Sequence, residues 1–155
     1  MNFFPALIDP MHPLDIKGEL SPEILGLNEK AAKAAQPIQV EVLVQKDEDD
    51  GNFLVTGWAQ IPVSLLCGRC AEWFPEKLRA KVEHLFEGPQ PNSIDLTPFI
   101  REDVLLELPL NAVCRLGADG RCPVTGEFYQ PRPETSGSLV SGEVWDALSK
   151  LKTKD

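Results

Sequence analysis

Phe53-Leu54-Val55-Thr56-Gly57-Trp58-Ala59-Gln60-Ile61-Pro62-Val63-Ser64-Leu65-Leu66-Cys67-Gly68-Arg69-Cys70 alternates apolar and polar side chains for most of its length. An extended chain points successive side chains to opposite faces. Phe53, Val55, Ala59, Ile61, Val63 and Leu65 therefore share one face, and Cys67 continues it. A Cys-Gly-Arg-Cys knuckle thus emerges at the end of a core-facing row. Upstream, Ile38, Val40, Val42 and Val44 face one way, with Gln39 and Glu41 opposite. The acidic tip Asp47-Glu48-Asp49-Asp50-Gly51-Asn52 turns the chain between these two strands. Downstream, Leu78, Ala80, Val82, His84 and Phe86 form a third row, with Lys77, Arg79, Lys81 and Glu83 outward. The economical reading is an antiparallel meander, with the knuckle near the turn joining its last two strands.

Leu14 to Leu20 alternates as a short strand with Gly18 inside it, and Ser21-Pro22-Glu23 reads as the start of a helical turn. Lys30 to Ala35 reads as a loop or short helix. Gly88-Pro89-Gln90-Pro91-Asn92 holds too many breakers for regular structure. Beyond it Leu96, Phe99, Ile100, Val104, Leu105 and Leu108 recur at helical spacing. The pattern predicts a helix from about Thr97 to Leu108, with Thr97 or Asp95 as its cap, Pro98 at its first position and Pro109 ending it. Residues 129–140 are rich in Pro, Ser and Thr and read as a mobile loop. A last amphipathic stripe of Val144, Trp145, Leu148 and Leu151 predicts a C-terminal helix capped near Ser141. No internal repeat stands out. The expected fold is a single α+β domain over residues 1–155: an antiparallel sheet, one principal helix and a C-terminal helix.

The 155 residues are 43% hydrophobic, enough for one sizeable core. A formal net charge of -9 disfavours a broad electrostatic grip on nucleic acid and favours a basic partner or a local basic patch. The N-terminal Met1-Asn2-Phe3-Phe4-Pro5 carries no basic n-region, and no apolar stretch reaches membrane-spanning length. The expectation is a cytoplasmic protein with no membrane association, in a compartment that keeps thiols reduced.

The chemistry of the chain lies in its four cysteines: Cys67 and Cys70, then Cys114 and Cys122. Two short pairs far apart in sequence suit a tetrahedral thiolate site, in which each pair is a local knuckle and the fold unites them. Four thiolates fill zinc's coordination shell, so the expected site is closed and structural rather than catalytic. The plain alternative, four buried cysteines, does not account for two short-range pairs beside glycine and arginine. A thiol-redox pair is the other alternative, but that chemistry draws on a helix N-terminus to acidify the thiol. Ala71-Glu72-Trp73-Phe74-Pro75 is a poor helix start.

Arg69, Arg115 and Arg121, three of the six arginines, adjoin a cysteine. They would offset the net charge of a zinc tetrathiolate and form a candidate contact for a phosphate backbone or a partner. Trp73 beside the knuckle is a candidate stacking residue, although a core or loop-anchoring role is the plainer one. His84 and His12 read as satisfied structural residues. Asp47 to Asp50 lacks the ligand alternation of a calcium loop. Glu102, Asp103 and Glu107 read as a polar helix face. No catalytic residue is assigned, and none of these groups points to an enzyme.

Taken together, these segments resemble the bacterial YceD family, named for large ribosomal RNA subunit accumulation. Cys67-Gly68-Arg69-Cys70 resembles its Cys-x-Arg-Cys knuckle. The run from Asp95-Leu96 to Glu102-Asp103-Val104-Leu105-Leu106-Glu107-Leu108-Pro109 is similar to its acidic-to-apolar helix. Cys114 and Cys122 follow where the family tends to have its second pair, and Gly18-Glu19-Leu20 and Trp145 to Lys152 look like its ends. Ala71-Glu72-Trp73-Phe74 replaces the usual Leu-Glu-Pro, and Asp103 stands where a second Glu is common. The resemblance implies a non-enzymatic cytoplasmic factor supporting synthesis, processing or stability of large-subunit ribosomal RNA. The expected partner is a ribosomal protein or a pre-ribosomal particle, with RNA contact indirect. The alternative is a zinc-binding or thiol-redox protein whose Cys-x-x-Cys is the active element.

Overall fold

The computed structural model describes residues 1–47 and 51–129, and the chain divides into two units, residues 1–114 and residues 115–155. The first unit contains β1 (Asn2–Phe3), β2 (Leu14–Leu20), β3 (Ala32–Lys33), β4 (Ile38–Lys46), β5 (Phe53–Leu66), β6 (Trp73–Phe86), β7 (Ile94–Asp95) and α1 (Thr97–Leu106). It is an antiparallel β structure with one α-helix, as the alternating rows require. The acidic tip at 48–50, most of the loop at 129–140 and the C-terminal amphipathic segment lie outside the described residues.

The β5–β6 hairpin organises the sheet. Its ladder runs unbroken from Phe53↔Phe86 to Leu66↔Trp73. The other edge of β5 pairs with β4 from Phe53 to Gln60 and with β3 at Ser64 and Leu65. β2 then pairs with β4 in the register Leu14↔Val44 to Leu20↔Ile38. The strand at Ala32–Lys33 replaces the loop or short helix expected there, because β4 stops short of the end of β5 and leaves a paired position open.

Because the register matches inward rows to inward rows, one face of the sheet is apolar. Val40, Val42, Val44, Val55, Ala59, Ile61, Val63, Leu65, Leu78, Ala80 and Val82 are all buried. Phe3, Ile8, Leu25, Leu96, Ile100 and Val104 supply buried apolar side chains from the N-terminal segment, the turn at Pro22–Leu25 and α1. Each such side chain contributes about 1.5–3 kcal/mol by leaving water. Gly57 interrupts the inward row for a steric reason: a Cβ there would sit 2.1 Å from the Glu41 carbonyl oxygen.

The helix departs from its expected ends in two ways. Leu96 holds the cap position, while the side chain that satisfies the first turn is that of Asp95, one of the two caps expected. Its Oδ1 accepts from the Thr97 N–H (3.0 Å) and from the Thr97 hydroxyl (2.7 Å). The N-terminal ammonium of Met1 also donates to Asp95 (3.1 Å) and Thr97 (2.7 Å), and β1 pairs with β7 beside it. At the other end the helix closes at Leu106 rather than Leu108, because a residue preceding proline, here Leu108 before Pro109, is pushed out of the helical region. Asp103 is also not part of a solvated face. Its carboxylate lies 2.8 Å from His84 Nε2, both side chains are largely covered, and Phe99 packs over the imidazole at 5.1 Å. His84 is thus the satisfied structural histidine expected from its row.

Two outcomes test this account. Gly57→Ala should lower stability by about 3 kcal/mol in urea denaturation, since the added methyl meets backbone rather than a movable side chain. Asp95→Ala should cost about 1 kcal/mol at neutral pH through loss of the cap. The Thr97 hydroxyl, then the Thr97 N–H and the ammonium, hold Asp95 below its ordinary value of 3.8 against the opposing effect of burial. A depressed carboxylate stabilises above its ordinary value and loses that contribution as pH falls through its depressed one. The gap between wild type and Asp95→Ala should therefore close below about pH 3.8 in the same assay.

Candidate metal centre

The turn between β5 and β6, residues 67–72, is built by its own backbone. The Cys67 N–H donates to the Glu72 carbonyl at 2.9 Å, and the Ala71 N–H donates to the Cys67 carbonyl at 2.9 Å. Closing so tight a loop forces Ala71 to φ 56°, a left-handed conformation that costs a side-chain-bearing residue roughly 1–2 kcal/mol. Cys67 ends the inward row of β5 and is 1% exposed. No helix begins here; β6 starts at Trp73.

The third thiol arrives from beyond α1. The Gly68 N–H donates to the Ala112 carbonyl at 2.8 Å, laying residues 112–114 against the turn. Cys114, also buried, then directs its N–H at Cys67 Sγ at 3.3 Å. The sulfurs of Cys67, Cys70 and Cys114 lie within 4.8 Å of one another. A tetrahedral zinc with Zn–S bonds of about 2.3 Å sets its sulfurs about 3.8 Å apart, so this set suits such an ion.

The electrostatics favour anionic sulfur. Burial pushes the Cys67 thiol up, but the N–H groups of Cys114, Cys70 and Arg69 aimed at its sulfur outweigh this and lower it to about 6. Donors fixed by the backbone stabilise the thiolate, the form in which cysteine ligates metal. Three convergent thiols, one of them held well below its ordinary value, could hold a soft cation.

Cys122 lies in the second unit, in a turn with the same construction. Its N–H donates to the Glu127 carbonyl (2.8 Å), and the Gly126 N–H donates to the Cys122 carbonyl (2.9 Å). These are the spacings of Cys67 with Glu72 and Ala71. Gly126, at φ 73°, occupies the left-handed position that Ala71 occupies in the first turn. The Thr125 N–H donates to Cys122 Sγ at 3.5 Å, so Thr125 stands where the first turn has Cys70. This local repeat escaped sequence reading because its ligand is halved: Cys-Gly-Arg-Cys-Ala-Glu against Cys-Pro-Val-Thr-Gly-Glu. The shared spacing from cysteine to glutamate was the signal.

The other expected site residues fall in both units. Arg69 is exposed on the first turn, while Arg115 and Arg121 are exposed in the second unit. Arg121 serves its own loop, donating to the Gly126 carbonyl at 3.0 Å, with Asp119 at 3.7 Å. Trp73 is half-buried on β6, with Lys33 Nζ 4.2 Å from its ring centroid. His12 is exposed and paired with Asp9 at 3.1 Å. Compared with protein-family models, curated proteins and solved structures, the chain finds no match.

Ala71→Gly should relieve the left-handed strain at a smaller entropic cost, raising stability by about 0.5–1 kcal/mol in denaturant titration. Gly126→Ala should have the opposite sign.

Proposed function

We propose that the chain is a non-enzymatic, zinc-carrying factor of the cytoplasm that supports accumulation of large-subunit ribosomal RNA, acting on the pre-ribosomal particle or one of its proteins. The observation that carries the zinc half of this reading is the convergence of Cys67, Cys70 and Cys114 on one point, with backbone donors favouring thiolate. Cys122 is the fourth ligand in this reading. Its turn holds the sulfur with the same hydrogen-bond pattern as the first knuckle, which supports its assignment. Zinc bound by four thiolates would serve as a structural cross-link, since no position remains for substrate. The ribosomal half rests on the resemblance of the ordered segments to the YceD family. Among the described residues no helix is long and apolar enough to cross a membrane, which accords with a partner in solution.

Protein purified under reducing conditions without chelator should contain about one zinc per chain, and Cys114→Ser should lose metal and several kcal/mol of stability. Metal-free protein whose stability is unchanged by added zinc would defeat the zinc reading. Affinity capture from gently lysed cells should enrich large-subunit precursor RNA or ribosomal proteins, and capture of neither would defeat the ribosomal reading. The depressed Cys67 thiol also favours a second reading, a thiol-redox pair. Alkylation separates the two: zinc-bound thiolates stay protected until the metal is removed, whereas a redox thiol reacts in the native protein.

A further inference from the structure

The half of the sheet's outward face formed by β3, β5 and β6 carries a charge opposite to that of the chain. In the register Pro62↔Lys77, Gln60↔Arg79 and Trp58↔Lys81, the outward row of β6 presents three cations beside the outward row of β5. Lys33 on β3, paired with Ser64, adds a fourth next to Trp73. All four cations are exposed. Trp58 and Trp73 are half-buried on the same face, and Arg79 Cζ lies 5.1 Å from the Trp58 ring centroid. The half of the face on β2 and β4 is acidic, with Asp15, Glu19 and Glu41 against one lysine: Lys17 lies 3.7 Å from Asp15 and 3.8 Å from Glu41, Gln39 donates to Glu19, and Glu41 is the cross-strand neighbour of Trp58. On β6 Glu83 pairs with Lys81; among the described residues Lys33, Lys77 and Arg79 form no ion pair.

We propose that Lys33, Trp58, Trp73, Lys77, Arg79 and Lys81 bind single-stranded RNA. Alternate residues of a strand are about 7 Å apart, so Lys77, Arg79 and Lys81 form a straight rail for a phosphate backbone. The two tryptophans flank that rail and offer flat apolar surface to unstacked bases. The cation–π contacts hold Lys33 and Arg79 at the sheet surface, so less side-chain freedom is lost on binding. The guanidinium stacked on Trp58 itself presents a plane to a base. A duplex keeps its bases stacked and would not use the rings, and an acidic peptide would use only the cations. This inference deepens the reading proposed above and rests on it for the choice of RNA. It moves RNA contact from the protein-mediated route, which net charge favoured, and from the arginines beside the cysteines to a basic half-face that β-sheet register segregates and the average conceals.

The test is fluorescence anisotropy of a labelled, unpaired oligoribonucleotide of about twelve nucleotides, titrated with the full chain at several salt concentrations from about 50 mM upward. Four phosphate contacts should give a log–log salt slope of about -3. The triple variant Lys77→Gln, Arg79→Gln, Lys81→Gln should bind at least about tenfold more weakly, with a slope near -1. Trp58→Leu and Trp73→Leu should each weaken binding by about tenfold with the slope unchanged. Lys77→Arg with Lys81→Arg should retain binding, which separates lost charge from lost fold. Absence of saturable binding at the lowest salt, binding that the triple variant keeps within twofold, or equal competition by polyglutamate would overturn the proposal. Cellular capture separates it from the broader reading. If the triple variant still captures large-subunit RNA, this face is wrong and that reading stands. If wild type captures none while the oligonucleotide binds through these residues, that reading falls and the face stands.

Discussion

The unbroken ladder between β5 and β6 is the constraint on which the rest depends. A one-residue slip would send every inward side chain to the outer face. The register that buries Val55, Ala59, Ile61, Leu78, Ala80 and Val82 also sets where the hairpin turns. That turn is the Cys67–Glu72 knuckle, so the position of the first thiol pair is a consequence of core packing. The same register aligns the cations of β6 with Trp58 on the opposite side. Core, cysteine cluster and basic half-face are three outcomes of one pairing.

Two kinds of polar order decorate this frame, and their energetics differ. Around Cys67 the donors are backbone N–H groups held by the turn and by the Gly68–Ala112 hydrogen bond. Such donors stabilise an anion without side-chain entropy cost, and the thiol responds by titrating near 6. The surface pairs of Lys17, Lys81 and Arg121 are exposed and screened, so their net worth is small. The His84–Asp103 pair lies between these cases: shielded by Phe99, it ties α1 to the far end of β6 where the apolar row gives out.

The two cysteine turns show how one backbone solution accepts different sequences. Both close with a cysteine N–H to the carbonyl five residues on and with a left-handed residue at the fourth position after the cysteine. Gly126 adopts that conformation freely, while Ala71 does so under strain. The second turn carries Thr125 where the first carries Cys70, so it presents one thiol where the first presents two.

Periodicity alone located β2, β4, β5 and β6 and the inward row ending at Cys67, because a strand with one buried face must alternate. The four cysteines were legible as candidate ligands for the same local reason: spacing and residue type are one-dimensional. Three things needed the folded chain. The two-residue pairings of Ala32–Lys33 and Asn2–Phe3 are too short to carry a period and exist only because a neighbouring strand presents open hydrogen-bonding positions. The tether of Asp95 to the Met1 ammonium and the inward turn of Asp103 towards His84 join groups more than ninety and nearly twenty residues apart in sequence. Above all, net charge is a sum over the chain, whereas a binding face is a sum over neighbours. Only the cross-strand register decides that Lys77, Arg79 and Lys81 form one row beside Trp58, with Glu41 on the other side of that ring.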